Sequence, residues 1–188
     1  MAILPIKIAP DPVLKAKAQP VAEVNDEVRQ LLDDMLDTMY NAHGIGLAAN
    51  QVGVLKRVIV VDVEHNNDHE PGKPIKLVNP EIIKVSDELF TYQEGCLSFP
   101  QQYADVDRPK VITVRYLDEN GKQQELEADG LLATCIQHEI DHIDGINFVD
   151  HISRLKREMI IKKLQKGKKL GEFDHIYEPH SHGHHHHA

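Results

Sequence analysis

Apolar residues recur at helical spacing early in the chain: Val28, Leu31, Leu32, Met35, Leu36, Met39 and Tyr40. This predicts an amphipathic helix stopped near Gly44, with Asn25 as its cap and Asp26 and Glu27 in its first turn. The pattern then changes to β-branched runs over Val58–Val63, Lys76–Val85, Leu89–Leu97 and Val111–Leu117. Asn120-Gly121 is a hairpin signal leading to a further strand over Gln123–Ala128. His65–Lys73 is polar, contains Pro71-Gly72, and reads as a surface loop. Asp129 can cap a second helix running to about Ile143 and ending by Gly145. Its apolar residues (Leu131, Leu132, Ala133, Cys135, Ile136, Ile140, Ile143) lie on most sides, the pattern of a buried helix. A last helix follows over about Ser153–Gln165. The expected fold class is α+β, with antiparallel strands wrapped around one buried helix and flanked by an N-terminal and a C-terminal helix.

That buried helix carries His138-Glu139-Ile140-Asp141-His142. Residues four apart share a helix face, so His138 and His142 can place two imidazoles on one metal ion, with Leu131 and Cys135 on the same stripe. Glu139 sits beside the first histidine, where its carboxylate can meet a metal-bound water. The pattern is H-E-x-x-H, two zinc-type ligands and a general base. A third ligand decides among hydrolase families. One family continues to a third histidine, but Phe148 stands at that position. Another uses a downstream glutamate; Glu158 is the nearest, in a run so basic that it reads as a surface helix. Upstream, Glu94-Gly95-Cys96-Leu97-Ser98 places one of two cysteines in a tight Gly-Cys context at the end of a strand-like run, and a thiolate suits a borderline-soft divalent ion. Three protein ligands with an open fourth position form a catalytic arrangement. A fourth ligand would close it, so Cys135 is read as a buried residue beside the pocket. Asp141 points away from the histidines, and Arg108 is its expected ion partner.

The segment Gly44-Ile45-Gly46-Leu47-Ala48-Ala49-Asn50-Gln51 ends the first helix and opens a loop. Its glycines permit close backbone approach. Gln51 offers an uncharged amide suited to holding an oxyanion. These three motifs, in this order and at these separations, resemble those of peptide deformylase over roughly residues 3 to 170. The resemblance implies hydrolysis of the formyl amide on the N-terminal formylmethionine of new polypeptides, with release of formate. It implies Cys96, His138 and His142 as ligands of one divalent ion, Fe²⁺ in cells, with Zn²⁺, Ni²⁺ or Co²⁺ in purified protein. Glu139 is then the base, and the Gln51 side chain and Leu97 backbone N–H hold the oxyanion. Ile45, Gly46, Glu94, Gly95, Leu131 and Cys135 are the expected peptide contacts. Two positions depart from many relatives: Thr134 replaces an aliphatic residue and Tyr103 replaces an arginine. Two rivals stay open, a zinc peptidase cutting internal bonds and a metal-stabilised binding module without catalysis.

Length and charge narrow the setting. A chain of 188 residues suits one domain, expected over residues 1–170. Two cysteines make no disulfide framework, and no apolar run is long enough for a membrane span; together these predict a cytoplasmic protein with no membrane partner. The net charge of −9 argues against general nucleic-acid or specific DNA binding. The charge is nevertheless uneven: His151–Lys169 holds eight basic residues and one acid, a charge of +7 that leaves −16 for the rest. By resemblance, that basic helix is an expected docking element for the ribosome, with Ile152, Leu155, Met159, Ile160 and Leu164 available to pack on the body. Residues 171–188 are expected to be a tail. The six histidines between His180 and His187 read as a purification tag or low-complexity segment, not a site.

Overall fold

A computed structural model describes residues 2–65 and 72–179. Among these the expected α+β architecture is present, with three α-helices and seven strands, all strand pairing being antiparallel except for one isolated parallel bridge between Gln19 and Lys56. Helix α1 spans Asp26–Asn41, and the Asn25 side chain accepts from the Val28 N–H as a cap should. Its inward stripe (Val28, Leu32, Met35, Leu36, Met39) is buried against Val58, Val60 and Val78. Strands β1 (Gly46–Ala48), β2 (Val58–Val61), β3 (Ile75–Val85), β6 (Val111–Leu117) and β7 (Gln123–Asp129) form one sheet in the order β1-β2-β3-β6-β7. Strands β4 (Leu89–Cys96) and β5 (Phe99–Pro109) form a separate two-stranded ribbon.

Helix α2 (Gly130–Ile143) contacts both sheets, and every residue from Ala133 to Ile140 is buried. This follows from its all-round apolar pattern, which leaves no face for water. Asp129 occupies the cap position, but its side chain accepts no capping hydrogen bond; the chain enters the helix from β7 through Gly130 at φ +60. Helix α3 (Arg154–Lys169) buries Ile160, Leu164 and Gly167. Leu155 and Met159, expected to pack, are instead 69% and 52% exposed, because they lie off the narrow stripe that meets the body.

Three differences bear on the site. The glycine-rich segment is not all loop: Gly46–Ala48 pairs with Ile59–Val61 as an edge strand, followed by one turn of 3-10 helix. Strand β5 was not expected, since its sequence is polar and contains two prolines. Its inward positions nevertheless alternate, ending in the buried Val106 and Arg108. The expected tail boundary at 170 does not end the packing, because Phe173 joins the cluster of Phe99, Phe148 and Leu164. Residues 66–71 of the polar loop and the histidine-rich 180–188 lie outside the described residues.

Candidate active site

Helix α2 and the end of β4 meet at one point. Cys96 Sγ lies 3.2 Å from His142 Nε2, which lies 3.2 Å from His138 Nε2. The ligand atoms of these three residues are all within 4.8 Å of one another, the one such cluster among the described residues. A tetrahedral ion with bonds of ~2.0–2.3 Å separates its ligand atoms by roughly 3.3–3.6 Å, so this spacing fits one small divalent cation. Burial opposes a proton on His138, but bonds to Cys96 and Glu94 and the Glu139 charge push its pKa well up, while burial and His138 hold His142 well down. Cys135, by contrast, is kept a neutral thiol by burial and by Glu139, and points its Sγ at the Ile45 carbonyl.

Glu139 is buried on the cavity wall, and burial pushes its carboxyl up to about 7. Its Oε1 is buried without a hydrogen-bond partner, an acceptor held ready for something that enters the site. Gly46 makes the room: a Cβ there would fall 2.6 Å from Glu139 Oε2 and 2.7 Å from Cys135 Sγ. The Gln51 amide has its orientation fixed, because Oε1 accepts from the Ala48 N–H at 3.0 Å. Nε2 therefore faces Ser98 Oγ at 3.1 Å and Cys96 Sγ at 3.4 Å, beside the ligand cluster.

An acidic chain of contacts braces the histidine. Glu94 accepts from Arg108 Nε at 2.6 Å and Nη2 at 3.0 Å, and meets His138 Nδ1 at 2.8 Å. Arg108 also donates to Asp141 Oδ2 at 2.8 Å, the expected pair, and His151 Nε2 meets the same oxygen at 2.8 Å. Burial would raise the Glu94 carboxyl, but His138 and Arg108 outweigh it and keep it ionised. A carboxylate on the far nitrogen of a ligating imidazole sets its tautomer and ring angle. Glu94, expected among the peptide contacts, has both side-chain oxygens engaged by Arg108 and His138. Phe148, at the position where another family has a ligand, stacks its ring at 6.0 Å from His138, and Glu158 pairs with Arg154 on the exposed side of α3.

A cavity of about 430 Å³ opens onto this cluster. It is lined by the expected Ile45, Gly46, Glu94, Gly95, Leu97, Leu131 and Cys135, with Gln51, Cys96, His138 and Glu139. Thr134 also lines it, and its hydroxyl is buried without a partner. Tyr103 packs its ring against Gly95, where a Cβ would come within 2.7 Å, and stands 62% exposed at the rim. Reading the sequence did not single out Ser98 or Tyr177, whose hydroxyl donates to the Leu97 carbonyl at 2.7 Å.

The family model described as Polypeptide deformylase matches residues 3–158. The chain belongs to the polypeptide deformylase family. A peptide deformylase from Agrobacterium fabrum is 56% identical over 166 residues, covering 88% of this chain and 96% of that one. One from Methylocella silvestris is 56% identical over 182 residues, covering 96% and 93%. Among solved structures, a peptide deformylase from Ehrlichia chaffeensis superposes with a TM-score of 0.85 at 38% identity, covering 91% of this chain and 99% of that one. The same organism's enzyme in complex with actinonin gives 0.84 at 40% identity. As a member of the deformylase family, the chain is an enzyme acting on formyl-methionine peptides. None of its described helices is long and apolar enough to cross a membrane.

Proposed function

We propose that the chain is a metal-dependent deformylase. It hydrolyses the formyl amide at the N-terminus of new polypeptides at the Cys96–His138–His142 cluster. The observation that carries this reading is the convergence of three ligand atoms beside a buried, unpartnered Glu139 carboxylate. When bound, a divalent ion would supply Lewis-acid polarisation of the formyl carbonyl and a more acidic attacking water. The donor set of one thiolate and two imidazoles suits Fe²⁺, Zn²⁺, Ni²⁺ or Co²⁺, with Fe²⁺ expected in cells.

Glu139 takes the proton from the attacking water and hands it to the leaving nitrogen; a carboxyl raised to about 7 is poised to do both near neutral pH. The Gln51 amide and the Leu97 N–H stabilise the oxyanion as the carbonyl becomes tetrahedral. The peptide runs between two edge strands, β1 and β4, whose Gly46 and Tyr92–Cys96 both line the cavity. This is strand addition. The Ile45 carbonyl already accepts from the Asp62 N–H at 2.8 Å, so Ile45 contributes its N–H to the peptide. The methionine side chain fills the slot walled by Leu131, Thr134 and Cys135, apolar but for one buried hydroxyl.

The exposed lysines and arginines of α3 make it the surface for a polyanion, and docking on the ribosome through this helix belongs to the same reading. The cytoplasm, where ribosomes are and where Cys96 stays reduced, is the matching compartment. Incubating metal-loaded protein with formyl-Met peptides and with unblocked peptides tests the activity. Formate from the first and no cleavage of the second supports the proposal; cleavage of internal bonds would favour a peptidase.

A further inference from the structure

The family model ends at residue 158, yet the wall of the cavity does not. After α3 the chain turns at Gly171, which takes φ +72, and folds back over the body. Three anchors hold this strap. Phe173 packs in the cluster of Phe99 and Leu164, against Gly167, where a Cβ would come within 2.6 Å of its ring. The Tyr177 carbonyl accepts from Asn41 Nδ2 at 2.7 Å, fixing the strap to the end of α1. The Tyr177 hydroxyl donates to the Leu97 carbonyl at 2.7 Å, one residue from Cys96. Ile176 and Tyr177 thereby line the same cavity as Gly44, Gly95 and Tyr103. Burial pushes the Tyr177 phenol up, and Cys96 and Tyr103 push it the same way, so it stays a neutral donor.

Position within the cavity sets the role. The small formyl group belongs at the ligand cluster, and the methionine side chain belongs in the slot on α2. The strap forms a third wall: Tyr177 reaches the ligand loop at the Leu97 carbonyl, and Ile176 lines the cavity together with the exposed Tyr103. Ile176, 39% exposed, gives an apolar surface there. We propose that Ile176 and Tyr177 are specificity-determining residues that select apolar side chains in the peptide beyond the formylated methionine. This rests on the deformylase reading above.

The test measures kcat and KM of the full-length, metal-loaded enzyme on formyl-Met amide, formyl-Met-Leu-Ala and formyl-Met-Gly-Ala. Variants are Ile176→Ser, which removes the apolar surface, and Tyr177→Phe, which removes only the bond to Leu97. The expected result is that wild-type enzyme favours the leucine peptide. Ile176→Ser lowers the kcat/KM ratio of the leucine peptide to formyl-Met amide about three- to tenfold, through KM. Tyr177→Phe lowers it less, in the same direction. A ratio unchanged in both variants would overturn the proposal, as would a loss carried equally by all three substrates. Absence of formate from every substrate with wild-type enzyme would instead overturn the deformylase reading, and this proposal with it.

Discussion

Glu94→Gln separates two roles for one carboxylate. If Glu94 contacts the peptide, its neutral isostere weakens substrate binding. If it positions His138, the loss appears in metal retention and turnover. The structure favours the second, because both oxygens are occupied, by Arg108 at 2.6 and 3.0 Å and by His138 at 2.8 Å. The amide keeps the shape but has one acceptor oxygen, so in either orientation its NH₂ must face the guanidinium, at Nε or at Nη2. Hydrogen bonds to charged groups are worth about 1.5–3 kcal/mol each. Arg108 keeps Asp141 as a partner at 2.8 Å, so the full cost of an abandoned buried charge, ~3–5 kcal/mol, is not reached. The expected destabilisation is about 2–4 kcal/mol by urea unfolding. Loss of the carboxylate behind a ligating histidine typically weakens metal affinity by about 10–100-fold. Chelator competition measures that, and formate release at saturating metal measures kcat and KM. The expected pattern is weaker metal retention, lower kcat and little change in KM. A raised KM with unchanged metal retention would refute the positioning role.

Other perturbations follow from the same geometry. Gly46→Ala places a Cβ 2.6 Å from Glu139 Oε2, and displacing that carboxylate should lower kcat by about 10²-fold with the circular dichroism spectrum unchanged. Gln51→Leu removes one donor beside the ligand cluster and should lower kcat by roughly 10²–10³; a rate near wild type would remove Gln51 from the oxyanion site. Burial would raise the Asp62 carboxyl, but bonds from Tyr40 and from the Gly72, Lys73 and Glu64 amides outweigh it, so its pKa is lowered on folding. Its contribution to stability is therefore present above the unfolded value of about 4 and is lost as pH falls through the folded pKa. Thermal unfolding from pH 7 to pH 3 should show Asp62→Asn less stable than wild type at neutral pH and nearly equal to it in acid.

Much of the site was legible because its chemistry is local. His138, Glu139 and His142 share one helical turn, so spacing alone puts them together. Cys96 and Gln51 needed the motifs around them, since nothing in spacing says that β4 ends against α2. The Arg108–Asp141 pair was expected only as two opposite charges, since they lie far apart in the sequence. The central role of Glu94 in that pair was not, because it depends on β5, whose polar inward positions hide the period of a strand. Arg108 is the clearest case: it sits where an apolar residue is expected, and is buried because two carboxylates meet it there. The strap was missed for a different reason. Phe173, Ile176 and Tyr177 stand singly among polar residues, and only the turn at Gly171 brings them back to the pocket.

The central claim is that a buried carboxylate beside a three-ligand metal cluster hydrolyses a formyl amide. Glu139→Gln tests it most directly, with metal content and formate release measured on the same anaerobically prepared sample. The account predicts one divalent ion per chain in both proteins and a kcat on formyl-Met peptides reduced by about 10²–10⁴ in the variant. A Glu139→Gln protein that releases formate at the wild-type rate would contradict it.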